Sequence, residues 1–151
     1  MHICFVCTGN ICRSPMAALV FEEHLRRAGL SDQVRVSSAG TDGWHVGESA
    51  DPRAERVLAR HGYPTAHTAA QLTADHLDAD LLVVMDSNHA RALRTRVADP
   101  DRVTLFRAFD PAAEPDLDIP DPYYGGPDGF DQVLTMVEAA CPGLLRWVLA
   151  N

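Results

Sequence analysis

The chain has 151 residues, 46% hydrophobic and 23% charged. That is the balance of one globular domain able to bury ~70% of its unfolded surface, not of a disordered chain. Its formal charge of −8, from 13 basic and 21 acidic residues, makes it a poor candidate for general binding to nucleic acid or anionic membrane, where attraction is mostly Lys and Arg electrostatics. All 13 basic residues are Arg, and without Lys neither Schiff-base chemistry nor a Walker A loop is available.

No basic-then-apolar leader opens the chain, and apolar runs such as Leu81–Met85 fall far short of the ~20 residues that span a bilayer. A cytoplasmic protein without membrane association is therefore expected. Ile3-Cys4-Phe5-Val6 predicts a buried strand. Ser14-Pro15 predicts a helix start, with Ser as N-cap and Pro at the first helical position; the helix carries Ala17 to Phe21 and Leu25, and Gly29 stops it. Val34 to Val36 predicts a second strand. Asp51-Pro52 repeats the cap signal for a helix that runs to His61 and ends at Gly62. Leu81–Met85 predicts the third strand, Ser87 and Asn88 cap a helix through Arg96, and Val103 to Phe106 predicts the fourth strand. The Pro-, Gly- and Asp-rich stretch 110–131 reads as a loop. A last helix begins near Asp128 with Phe130, Val133, Leu134 and Val137 on one face, and Pro142 predicts a kink or two pieces.

Strands alternating with helices predict one α/β domain over residues 1–151: a three-layer α/β/α arrangement, with a four-stranded parallel sheet and helices on both faces. Such sheets bind ligands at the carboxyl ends of their strands. The segment after the first strand is Cys7-Thr8-Gly9-Asn10-Ile11-Cys12-Arg13-Ser14-Pro15. Gly9 and Asn10 tolerate left-handed backbone, so the loop can curl. A curled loop entering a helix aims several N–H groups and the positive end of the helix dipole at one spot, a cradle for a dianion such as phosphate. Residues Thr8 to Ser14 would line it. Arg13 adds a fork that matches two phosphate oxygens. Cys7 lies at the base, where the field that holds an anion also favours thiolate, and Ser14 can donate its hydroxyl to the sulfur. A thiolate beneath a bound phosphate points to in-line attack on phosphorus and a cysteinyl-phosphate intermediate.

This nonapeptide resembles the C-x5-R-S signature of the low-molecular-weight protein tyrosine phosphatases, in particular their actinobacterial-like branch, through Trp44-His45-Val46-Gly47 and Asp121-Pro122-Tyr123-Tyr124 as well. The resemblance covers nearly the whole chain. It implies phosphotyrosine hydrolysis by Cys7, Arg13 and a general acid, Asp121, without metal or cofactor. Asp121 lies between Pro120 and Pro122, in a stretch from Asp110 to Asp131 with seven acidic residues and no basic one. Such a field helps a carboxyl keep its proton, against the pull of Arg13. The resemblance further implies that His67 and Ser38 support the loop through Asn10, and that Cys12 is a reversible redox partner of Cys7. Ile11, Trp44, Tyr123 and Tyr124 would wall a deep slot for a phenyl ring. His45 has no assigned chemistry. The implied partners are phosphotyrosine proteins, with inorganic phosphate as product or competitive ligand, and a monomer is expected.

Rival readings use the same residues. An arginine phosphatase has the same loop, but by the resemblance carries Thr where Ile11 stands. Arsenate reductase shares the fold but relays a disulfide through two further Cys, and beyond the loop this chain has only Cys141. Cys4-x2-Cys7 with Cys12 and His2 can be drawn as a zinc set, yet strand alternation sends Cys4 and Cys7 to opposite faces. A thioredoxin-like dithiol would need both Cys at the helix start. A binding-only module would lack the nucleophile or the acid.

Overall fold

The computed structural model describes residues 1–151. Four strands, β1 (His2–Cys7), β2 (Arg35–Gly40), β3 (Leu81–Val84) and β4 (Val103–Leu105), form one parallel sheet in the order β2-β1-β3-β4. The chain leaves β1 for β2 on one side and later adds β3 on the other. The end of β1 is therefore the point where strand order reverses, and crevices open at such points.

Period-two alternation sorts β1 between two cores. Ile3, Phe5 and Cys7 face a large apolar core shared with α1 (Arg13–Arg27), α2 (Pro52–Arg60) and α5 (Gly129–Ala150). Cys4 and Val6 face a smaller one, built with Leu82, Val84 and the Ala90 and Leu93 of α4 (Ser87–Arg94). Helices thus cover both faces of the sheet. Phe5 anchors the larger core, with ring centroids 5.9 Å from Phe21 and 5.2 Å from Phe106. Burial of a ring at the strand centre fixes where β1 ends, and so where Cys7 stands.

Several local expectations are corrected. The first helix begins at Arg13, and Ser14 is not its N-cap: its hydroxyl turns toward Cys7 and Asn10 instead. α4 is capped by Asp86, whose Oδ1 accepts from the N–H groups of Asn88 and His89, and it ends at Arg94. β2 runs on past Val36 to Gly40 because it pairs with β1 along its whole length. A short helix α3 (Ala74–Leu77) and 3₁₀ turns at Pro100–Arg102 and Phe106–Phe109 carry too little periodicity to be seen in sequence.

Pro142 neither splits nor ends α5, which is one helix of 22 residues. Proline removes one backbone donor, but Val137, Ala140, Cys141 and Leu144 are buried on both sides of it. Gly143 meanwhile sits so close to Phe109 that a Cβ there would lie 2.0 Å from its carbonyl oxygen. Tertiary packing overrides the local break. α5 is also long and apolar enough, by length and composition, to cross a bilayer. Here its apolar residues form one wall of the larger core.

Candidate active site

The loop between β1 and α1 is held from outside by a polar network centred on Asn10. Asn10 is fully buried and is the one non-glycine residue with positive φ, at 57°. Asn is among the side chains that tolerate this conformation. Its Nδ2 donates to Ser14 Oγ at 2.8 Å and to Ser38 Oγ at 3.0 Å, and its Oδ1 accepts from Ala70 N at 2.9 Å. The Asn10 carbonyl lies 2.7 Å from His67 Nε2, so that nitrogen carries the hydrogen. Burial lowers the His67 pKa, and the bond to Asn10 opposes this. Gly9 does not use left-handed backbone. What it requires is space: a Cβ there would lie 3.1 Å from the ring of His45.

Cys7 Sγ lies 2.9 Å from Ser14 Oγ. That oxygen already accepts from Asn10, so its own proton is free to point at sulfur, the polarity a thiolate requires. Cys12 is buried, and burial first, then Asp51, pushes its thiol up to about 12. Cys4 faces the other core, where burial raises it to about 11. All four cysteines are free thiols.

The Arg13 side chain is only 3% exposed. Its Nη1 donates to Asp86 Oδ2 at 2.8 Å and to the Ile119 carbonyl at 2.9 Å. Nη1 of the guanidinium is thereby fixed, and Nη2 faces Asp121. Asp121 Oδ2 stands 3.7 Å from Nη2, and Asp121 Oδ1 accepts from Tyr123 N at 3.0 Å, an Asx turn that orients the carboxylate. At Asp86 burial works to raise the carboxyl pKa. The bond from Arg13, then His89 and its N–H, outweigh burial, and the net shift is downward. His89 is buried, with Nε2 2.9 Å from Thr8 Oγ1, and desolvation holds it below the ordinary histidine value despite nearby Asp86.

A cavity of about 590 Å³ opens over the loop, lined by Cys7, Ile11, Arg13, His45, Asp121 and Tyr123 among others. Trp44 and Tyr124 line it too, but at 84% and 93% exposed they stand at its mouth and do not form the deep walls expected. Asp121 and Tyr123 line the cavity from the 110–131 segment, and the remaining residues predicted for the site lie in or directly behind the loop. Asp86, His89 and Arg53 were not predicted. Asp86 had a readable signal, since it directly follows the strand run Leu81–Met85 at the carboxyl end of the sheet. His89 and Arg53 had none. No group of three or more His, Cys, Asp or Glu is placed to share a metal ion.

Fold and loop together define an α/β protein built around a phosphate-sized anion cradle with a thiol at its base. The family model described as low molecular weight phosphotyrosine protein phosphatase matches residues 2–151. The chain is 55% identical over 149 residues to low molecular weight protein-tyrosine phosphatase A of Mycobacterium tuberculosis, covering 98% of this chain and 91% of that one. It is 56% identical to the low molecular weight protein-tyrosine-phosphatase of Streptomyces coelicolor, covering 97% and 93%. Its structure is similar to that of a protein tyrosine phosphatase from Entamoeba histolytica, crystallised with Hepes in the active site, with a TM-score of 0.93 at 30% identity over 99% of this chain and 97% of that one. The chain belongs to the low-molecular-weight phosphotyrosine protein phosphatase family.

Proposed function

We propose that this protein hydrolyses phosphotyrosine in proteins through a phosphocysteine on Cys7, with Asp121 as general acid and base and with no metal or cofactor. One observation carries the reading: sulfur, hydroxyl donor and buried guanidinium converge under a single loop, with a carboxylate facing the same space.

The chemistry follows from the residues. Phosphate lies in the loop with Nε and Nη2 of Arg13 on two of its oxygens. Cys7 thiolate attacks phosphorus in line, the P–O bond to the ring breaks, and Asp121 gives its proton to the departing phenolate. Water then attacks the phosphorus of the thiophosphate, Asp121 takes a proton from it, and the S–P bond breaks to return thiolate. Ser14 donates to sulfur whenever it carries charge. Thr8, Gly9, Asn10, Ile11 and Cys12 supply the backbone of the cradle, and Ser38 and His67 keep Asn10 in place.

Substrate choice rests on the cavity. A phenyl ring spans from its mouth to the cradle past Ile11 and Tyr123, whereas a short Ser phosphate does not reach. Ile11 offers no polar partner for a guanidino group. Cys12 acts as the redox partner of Cys7. The protein works as a cytoplasmic monomer, with inorganic phosphate as product and competitive ligand.

A panel of phosphotyrosine, phosphoserine and phosphoarginine peptides, assayed with EDTA present, tests the reading. Turnover of phosphotyrosine alone is expected, and its loss in Cys7→Ser with phosphate binding kept. Preference for phosphoarginine, or normal turnover by Cys7→Ser, would overturn it.

A further inference from the structure

The segment that carries Asp121 has no cation of its own between Asp110 and Asp131, so any cation that steadies it comes from elsewhere. Arg13 faces the Asp121 carboxylate and Arg107 bonds the Asp118 carbonyl, but the cation that bonds the backbone of the Asp121–Tyr123 turn is Arg53, from the first turn of α2. Its Nη1 donates to the Tyr123 carbonyl at 3.2 Å. Its guanidinium carbon lies 5.5 Å from the Tyr123 ring centroid and 4.6 Å from that of Phe130, both within cation–π range. Arg53 is in turn fixed by Asp51, with Nη2 2.9 Å from Oδ2 and Nε 3.0 Å from Oδ1. The Asp51 carboxylate is nearly buried, caps α2, and is held below the usual carboxylate range chiefly by the bond from Arg53. Asp51 also donates its own N–H to the Ile11 carbonyl, at 2.8 Å, in the anion loop.

These contacts form one chain of bonds. It runs from Ile11 in the cradle through Asp51 and Arg53 to Tyr123, whose N–H orients the Asp121 carboxylate. We infer that Arg53 is a positioning residue for the general acid, setting Asp121 at a fixed height above the anion loop by tying its turn to α2. The inference rests on the proposed role of Asp121. Arg53 is not among the residues that line the cavity, so its effect is confined to proton delivery. A guanidinium suits this role because it can bond Asp51 through two nitrogens, donate to Tyr123 with a third and still stack on two rings, which Lys cannot do.

The test is a set of aryl phosphates whose phenols span weakly to strongly acidic, used with Arg53→Met, Arg53→Lys, Asp121→Asn and the double variant Arg53→Met/Asp121→Asn. With weakly acidic phenols, where protonation matters most, Arg53→Met should lose roughly tenfold in kcat, the size expected from one lost charge-assisted bond. Strongly acidic phenols should lose little, and the inhibition constant of inorganic phosphate should not move. Arg53→Lys, the variant to use should Arg53→Met fold poorly, should fall between wild type and Arg53→Met. In the Asp121→Asn background, Arg53→Met should cost nothing further. A loss equal for all phenols, weaker phosphate binding, or an additive loss in the double variant would overturn the inference and leave Asp121 as the acid. If Asp121→Asn itself showed no dependence on the phenol, the acid assignment would fall, and the inference with it.

Discussion

Asp86 lies outside the cradle yet decides whether Arg13 can work. Its Oδ2 accepts from Arg13 Nη1 at 2.8 Å, while its Oδ1 caps α4 by accepting from Asn88 N and His89 N. Asp86→Asn separates these two roles. The amide oxygen can keep the cap, but the amide nitrogen then faces a guanidinium, donor against donor. One charge-assisted hydrogen bond is lost, worth about 1.5–3 kcal/mol. The Ile119 carbonyl remains as a partner, so the arginine is loosened without being orphaned. If that energy is felt in full by the transition state, kcat/KM for an aryl phosphate should fall roughly 10- to 150-fold. The inhibition constant of inorganic phosphate should rise as well, because the same fork holds product. The assay is steady-state kinetics on a chromogenic aryl phosphate, with the far-ultraviolet spectrum and urea midpoint checking that the cap survives. A folded variant with kcat/KM and phosphate inhibition both within about twofold of wild type would refute the claim that Asp86 aims Arg13.

Asp121→Asn should lower kcat by roughly 10²–10⁴ for weakly acidic phenols, as expected for loss of a general acid, and much less for strongly acidic ones; a uniform loss would remove Asp121 from that role. His89 sets a sign for pH dependence. Burial holds its folded-state pKa below its ordinary 6.5, so below that pH the unfolded chain binds more protons. Stability is then full above about pH 6.5 and declines as pH falls toward the folded value. In urea titrations His89→Gln should lessen that decline, leaving the part due to His67, His2 and His76, whose shifts have the same sign, and an unaltered slope would contradict it. Because burial pushes the Cys12 thiol up to about 12, formation of a Cys7–Cys12 bond after mild peroxide should speed up as pH is raised. Cys12→Ser should recover less activity on reduction than wild type, and equal recovery would dismiss Cys12 as protector.

How much of this was legible in the sequence depends on the range of the interaction. The parallel sheet, the turn after β1 and the roles expected of Cys7, Asn10 and Arg13 follow from local alternation, caps and residue types within a few positions. Asp51 likewise announces itself as a cap by standing before Pro52. What stayed hidden are contacts between segments far apart in the chain. Arg53 meets Tyr123 across 70 positions, and His89 meets Thr8 across 81. Nothing local marks either pair, because each exists only once the sheet order is set. Pro142 shows the opposite failure: a correct local rule, overridden by the buried residues around it. Trp44 and Tyr124 show a third kind. The family resemblance implied apolar walls, but only three-dimensional placement reveals that both side chains stand out in solvent.

Every role assigned above depends on the sulfur of Cys7 receiving the phosphoryl group. Rapid acid quench of the enzyme during turnover of a phosphotyrosine peptide, followed by peptide mapping, reads this step itself. A transient phosphoryl adduct should form on the peptide containing Cys7, appear no later than the released phenol, and be absent in Cys7→Ala. An adduct on another residue, or full-rate phenol release by Cys7→Ala, would contradict it.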